Sequence, residues 1–501
     1  MLLGGSRSVT IEDLIRVARE KEMLELDTAC LADCEEARKS LLQRQEKETI
    51  YGVNTGFGAL AQESIPAESR RRAQLNLVRS HSSGVGDPFP EEVVRGAMFL
   101  LANELLKNYS GVRRILIEKI VEFINKGITP WVPSYGSVGA SGDLAPLAHV
   151  ALALIGEGDV TLNGKRRRSR DLIEPLMLEE KEGLSLINGT HFMTSVAALA
   201  LHDSYLLLRS AVMASSLTLE ATMSTDTFLD EKLNSLRRQE GQIKTAREMR
   251  SLVEDSEIIA YHKSCGKVQD PYSIRCSPQV LGACLDLCDF SKQQVEREMN
   301  AVTDNPIIIN GKAILGGNFH GAPVAQALDC ISIALATIST SSERRIAQLL
   351  NSRGLPQFLT GGEEGLNSGM MIAQYTAASL TSENKLLAHP ASVDSIPTSG
   401  LQEDHVSMGM NSALKALRSL RNSRYVVAIE LLCGAQALEI RMNSVGKRGG
   451  RGTMRAHELV RKLVPFLGED RPLYNDIETL ANSLCQITQE VYDGSKKGHS
   501  E

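Results

Sequence analysis

The sequence predicts a mainly α protein: a bundle core of long helices, a smaller N-terminal part and a few short hairpins. Three observations predict it. The stretches Phe192–Thr222, Val324–Asn351 and Ser412–Arg441 are almost free of Gly and Pro and carry apolar residues at three- and four-residue steps. Each runs about 30 residues, well beyond the usual ~10–14, a length that suits rods packed along one another. Strand signals are sparse, limited to two hairpins that turn at Asn-Gly, one over Val160–Lys165 and one over Ile307–Leu315.

The remaining elements follow in order. The first 105 residues are broken by glycine-rich and polar loops at 52–58 and 82–90 and read as a smaller N-terminal domain. Residues 106–501 read as the helical-bundle domain. With 501 residues and 42% hydrophobic content the chain has enough apolar surface for a large core, which excludes disorder. A net charge of −6, 4% aromatics and a single Trp (Trp131) exclude a general nucleic-acid binder. The basic stretches Lys165–Arg170 and Lys447–Arg455 read as solvated loop charge.

Nine cysteines at scattered positions form no CxxC pair, and an odd number in a long chain points to a reducing compartment. The N-terminus shows no basic region followed by a long apolar one, and the apolar run around Leu144–Ile155 is shorter than the ~20 residues that span a bilayer. A soluble cytoplasmic protein without a membrane partner is expected. The ten histidines include no HxxxH pair and none at structural-zinc spacing with cysteine, so no metal is expected.

Chemistry concentrates in four segments. The stretch from Gly136 to His149 has glycines spaced GxxGxxG, and no strand leads into it, so a dinucleotide loop is excluded. One reading is a glycine-rich turn with Asp143 capping the next helix and Pro146 in its first turn. The other is reactive: the Gly142 nitrogen attacks the Ala140 carbonyl, since glycine tolerates the bend required, and loss of water there and from Ser141 yields a methylidene imidazolone, MIO. Such a ring is a carbon electrophile, which no unmodified side chain is. A helix start beside it adds positive potential of ~1 kcal/mol. Tyr51 borders the glycine-rich segment 52–58. It reads as packing or, on a mobile loop and with a lowered pKa, as a general base.

TyrGlyValAsnThrGlyPheGly at 51–58, GlyAlaSerGlyAsp at 139–143, IleAsnGlyThr at 187–190 and GlyGlyAsnPheHisGly at 316–321 together resemble the aromatic amino acid ammonia-lyases, in order from about residue 50 to residue 410. The resemblance implies that Ala140, Ser141 and Gly142 condense to MIO without an external cofactor. It also implies that a substrate amine adds to the ring, and that β-proton removal then expels ammonia. Tyr51 matches the loop tyrosine and is the first choice of base. Asn188 and Tyr272 match residues bordering the ring, Gln269 and Phe319 line the same pocket, and Arg275 matches the carboxylate-binding arginine. A guanidinium fork suits that ligand because it makes two parallel charge-assisted bonds.

Two further positions resemble the histidine-selective branch. A desolvated imidazole has two nitrogens that need partners, whereas a phenyl ring has none. His81, after Ser80, falls on the family's ring-recognition position. Glu403 falls where that branch places a carboxylate against the imidazole, although Ser399 to Gln402 also reads as a capping box that needs no substrate. Met371 matches a third residue of the pocket. The resemblance thus implies conversion of L-histidine to trans-urocanate and ammonia by a homotetramer with shared active sites. The alternatives are the same scaffold acting on tyrosine or phenylalanine, an aminomutase, or a non-catalytic helical relative.

Overall fold

The structure, a computed structural model, describes residues 1–5, 7–262 and 268–497. It is predominantly helical, as the periodicity predicts, with eighteen α-helices among the described residues and strands of two to four residues each. The three long apolar stretches form the helices His191–Ala221, Ala322–Leu350 and Gly409–Val445. Both hairpins are present: Asp159–Leu162 pairs antiparallel with Lys165–Arg168, and Ile307–Ile309 with Lys312–Ile314. Their turns place Asn163–Gly164 and Asn310–Gly311 at positive φ, the conformation a tight two-residue hairpin demands.

The chain divides into two compact units. The first comprises residues 1–202, 291–329 and 390–414, the second 203–290, 330–389 and 415–501. The stretch 1–105, expected as a domain of its own, lies wholly in the first unit together with residues 106–202. The reason is packing. In the helix Glu91–Leu105 every residue from Val93 onward is buried, and it packs on both Ile11–Ala18 and Arg114–Asn125. Ser195 Oγ, on the helix beginning at His191, donates to the Val93 carbonyl at 2.8 Å. A helix buried on every face needs cover from several segments, here from both sides of residue 105.

In the second unit small and branched side chains from Val426 to Leu438 form the buried spine. A fully buried fork joins Arg345 to Glu430, Nε to Oε1 at 2.5 Å and Nη2 to Oε2 at 2.8 Å, and Thr218 Oγ1 adds a third bond to the same carboxylate. Arg345 Nη2 also donates to Ser342 Oγ at 3.1 Å, and such additional bonds offset part of the cost of burying the pair.

Among the described residues two helices, His191–Ala221 and Ala322–Leu350, have the length and composition to cross a bilayer. In them 72% and 67% of the apolar window is buried inside the protein, as in core helices. Among the described residues eight cysteines form no disulfide, and Cys265 lies outside the described residues.

Candidate active site

Ala140, Ser141 and Gly142 sit at the meeting of two helix starts in the first unit, Leu144–Leu154 and His191–Ala221. Gly142 pairs with Gly189 in an isolated parallel bridge, in which Gly189 N–H donates to the Ser141 carbonyl at 3.1 Å and Asp143 N–H donates to the Gly189 carbonyl at 2.8 Å. Ser141 lies at φ 51° and Gly142 at φ 82°, left-handed backbone in both cases. A Cβ on Gly142 would stand 2.0 Å from the Gly189 carbonyl oxygen, so only glycine fits this close approach. Ser137 Oγ donates to the Gly142 carbonyl at 3.3 Å. Among the described residues neither the Ala140 carbonyl nor the Gly142 N–H is engaged in a hydrogen bond, and these are the two groups that a ring closure would join.

Asp143 corrects one expectation. It stands at the N-cap position of Leu144–Leu154 but makes no cap bond there. Its carboxylate instead accepts from Met193 N–H at 2.9 Å, capping the helix that begins at His191, and from Ser137 Oγ at 3.2 Å. Complete burial pushes its pKa up to about 6, against the lowering influence of those bonds and of His191.

Tyr51, His81 and Glu403 form one group in the same unit. The 3₁₀ turns Gly58–Leu60 and Ser399–Leu401 pack together, and a Cβ on Gly58 would meet Ser399 Oγ at 2.8 Å. The charge of Glu403 is felt by both Tyr51 and His81. Tyr51 Oη accepts from Gly58 N–H at 2.9 Å. Burial raises the Tyr51 pKa, Glu403 raises it further, and the Gly58 bond alone opposes them. The lowered pKa expected for a base is therefore not present in this state, since partial desolvation and a neighbouring carboxylate both disfavour a phenolate. The expected mobile loop is also well tied: Gln74 Nε2 donates to the Gly52 carbonyl at 2.9 Å, and Gly56 N–H to the Glu63 carbonyl at 2.9 Å.

His81 ends the helix Arg70–His81, where its Nδ1 lies 2.9 Å from the Leu77 carbonyl. A carbonyl only accepts, so Nδ1 carries the proton and Nε2 of the neutral ring is an acceptor. Burial lowers the His81 pKa and favours that neutral form, against the raising effects of the Leu77 bond and of Glu403. Glu403 Oε2 accepts from Thr398 Oγ1 at 2.7 Å, and the two residues pair through their backbones. The capping box from Ser399 to Gln402 does not form, because only the three-residue turn Ser399–Leu401 stands there and it has no side-chain cap. Phe319 is half-buried on the loop before His320, whose ring stacks on His405 with centroids 5.6 Å apart. Asn188 is buried and follows the helix Glu182–Ile187 directly.

Gln269, Tyr272 and Arg275 form a second group, in the second unit. Arg275 Nε donates to the Asp270 carbonyl at 2.9 Å, its Nη2 to Gln269 Oε1 at 2.8 Å, and its guanidinium lies 4.6 Å from the Tyr272 ring centre. Tyr272 is exposed and Arg275 half-buried. Met371, half-buried in the same unit, opens the helix Met371–Leu387. Residue-type reasoning passed over Ser137, which bonds Gly142 and Asp143, and over Lys181, Asp304 and Glu104, which are linked to one another and to Asn188. The partners of the last three lie up to 200 positions away, so no local spacing marks them.

The family model described as aromatic amino acid lyase matches residues 9–462. The chain belongs to this family. A histidine ammonia-lyase of Gloeobacter violaceus is 46% identical over 97% of this chain and 96% of its own length. The crystal structure of histidine ammonia-lyase from Trypanosoma cruzi is similar with a TM-score of 0.89, at 37% identity over 99% of this chain and 95% of that one. Tyrosine aminomutase from Streptomyces globisporus is similar with a TM-score of 0.92, at 36% identity over 98% of each chain. The fold is thus shared across lyases and aminomutases of the family, and only the side chains around the site separate their substrates.

Proposed function

We propose that this chain deaminates L-histidine, without oxidation, to trans-urocanate and ammonia. The observation that carries the reading is the pair of acceptors at His81 and Glu403 beside Tyr51. His81 Nε2 in the neutral ring and the Glu403 carboxylate both accept hydrogen bonds. An imidazole ring, and above all an imidazolium, supplies N–H donors for them. A phenyl ring supplies none, so by displacing water from these two half-buried groups it would leave His81 Nε2 and the second Glu403 oxygen without a donor, a loss of about 1–3 kcal/mol each.

Ala140, Ser141 and Gly142 fit a self-made MIO group: the glycine-only approach to Gly189 and the two uncommitted backbone groups suit ring closure. Once formed, that ring supplies the electron-poor carbon to which an amine can bond. Tyr51 takes the β-proton as its phenolate, and Gly58 N–H favours that form. Glu403 accepts from the substrate ring and sets the charge that Tyr51 experiences. Asn188 and Phe319 serve the site from the first unit by their match to the family, Tyr272 and Met371 are the matching residues of the second unit, and Gln269 holds the Arg275 guanidinium that the substrate carboxylate meets.

We assign the working enzyme to the cytoplasm, as a homotetramer with shared active sites. Large apolar side chains exposed on the second unit support assembly, among them Leu366, Ile372, Tyr375 and Leu386. Incubation with histidine, tyrosine and phenylalanine in turn, following the ultraviolet absorbance of the conjugated acid, tests the reading. Histidine is expected to yield the acid with equimolar ammonia. Turnover of tyrosine or phenylalanine in its place, or a β-amino acid product, would overturn it.

A further inference from the structure

The short helix Glu182–Ile187 is held at both ends by one carboxylate. Lys181 precedes it in the left-handed conformation, at φ 72°, and Asn188 follows it. Lys181 Nζ meets Asp304 Oδ2 at 2.6 Å with both side chains completely buried, and Ser185 Oγ accepts a second bond from Nζ at 2.8 Å. Asp304 Oδ1 accepts from Asn305 N–H at 2.7 Å and from Asn188 Nδ2 at 3.3 Å. Asn188 Nδ2 also donates to the Asn305 carbonyl at 2.9 Å. Asp304 is itself fixed, because its backbone N–H donates to Glu104 Oε1 at 2.9 Å, while Glu104 Oε2 takes Thr303 Oγ1 and His191 Nε2.

A carboxylate and a carbonyl are acceptors only, so the amide of Asn188 has one orientation: both N–H groups point at Asp304 and Asn305. Oδ1 is then the side chain's uncommitted polar atom among the described residues. The next residue, Gly189, is the one bridged to Gly142. We propose that Lys181 and Asp304 are positioning residues that lock Asn188 so that it offers an acceptor, never a donor, beside the Ala140–Ser141–Gly142 loop. The group such an acceptor fits is the N–H of a substrate amine. Lys181 neutralises Asp304, so the lock adds no net charge next to the reacting atoms, and a buried carboxylate without that partner would be strongly disfavoured. The inference rests on the proposed deamination, in which Asn188 borders the reacting groups.

Two double variants isolate the lock from the charge. Lys181→Met with Asp304→Asn removes both charges and keeps an oxygen to accept from Asn188. Lys181→Met with Asp304→Leu removes the same charges and the acceptor as well. The Leu combination is expected to lose at least about tenfold more kcat than the Asn combination, with KM within about threefold between them. Equal kcat in the two would overturn the inference. Intact mass, read on both, is expected to show the same loss of two water molecules. Should the Leu combination not fold, Asn188→Asp decides. Its carboxyl can donate to Asp304 only when protonated, so its kcat is expected to rise as pH falls, relative to the unmodified chain. A pH profile parallel to that of the unmodified chain would overturn the inference. Failure of the deamination reading itself is distinguished by the unmodified chain, which would then give no conjugated acid from histidine.

Discussion

The two groups of candidate site residues are held in opposite ways. In the first unit, Ser141, Gly142 and Asn188 sit on turns whose partners come from distant parts of the chain, such as Gly189 for Ser141 and Asp304 for Asn188. In the second unit, Arg275 is held by Gln269 and Asp270 within seven residues, and Gln269 and Tyr272 are open to solvent. The first arrangement fixes atoms rigidly for bond making, where misplacement by ~1 Å can cost a hundredfold in rate. The second presents a charged fork on a local scaffold, which suits capture of a carboxylate. Chemistry should therefore reside in the first group and binding in the second.

Substitutions can break this contrast. Ser141→Ala removes the side-chain oxygen that the ring closure must lose, and turnover is expected to fall by about three orders of magnitude or more in steady-state assays. Tyr51→Phe should lower kcat by about 10²–10⁴, the range of a general base, with KM little changed. A change in KM alone would move Tyr51 into the binding group. Arg275→Lys keeps the charge and loses the fork, so KM for histidine should rise about tenfold while kcat holds. A drop in kcat with KM unchanged would instead place the second group in the chemistry.

Glu403→Gln sharpens the comparison within the first group. Removing that negative charge should lower the raised Tyr51 pKa, shifting the ascending limb of the kcat/KM profile, along which the phenolate forms, to lower pH. It should also reduce histidine turnover more than any trace phenylalanine turnover.

The smallest effect concerns stability. In each unit a buried carboxylate at a helix start has a raised pKa: Asp143, pushed up to about 6, and Glu220, pushed up to about 7 while accepting from Gly450 N–H at 2.7 Å. Burial is the largest cause in both cases. Between an unfolded carboxyl near 4 and these values the folded chain holds protons that the unfolded chain releases. The contribution is complete below pH ~4 and is lost as pH rises through about 6 and then about 7. Urea midpoints measured across that window should decline with rising pH, and Glu220→Gln should flatten the upper part of the slope.

Much of this was legible in the residues. The long helices announced themselves because a 3.6-residue apolar period leaves few alternatives, and both Asn-Gly turns closed hairpins for the same local reason. The loop at 139–143 was legible because its glycines are required one by one. What stayed hidden is non-local. A buried Lys181 looks like any surface lysine until Asp304, 123 positions away, arrives beside it. Asp143 was read as a cap for its own helix, yet Met193, brought in by the Gly142–Gly189 bridge, takes its carboxylate. The cover of Glu91–Leu105 is non-local as well, since its faces meet segments on both sides of residue 105.

The central claim is that three backbone-linked residues, Ala140 to Gly142, mature into the electrophile that the deamination requires. Intact mass spectrometry of the active preparation tests it most directly. A chain lighter than its sequence by two water molecules, with the deficit mapped to the peptide containing Ser141 and absent in Ser141→Ala, is the predicted result. A chain of full sequence mass that still releases ammonia from histidine would contradict it.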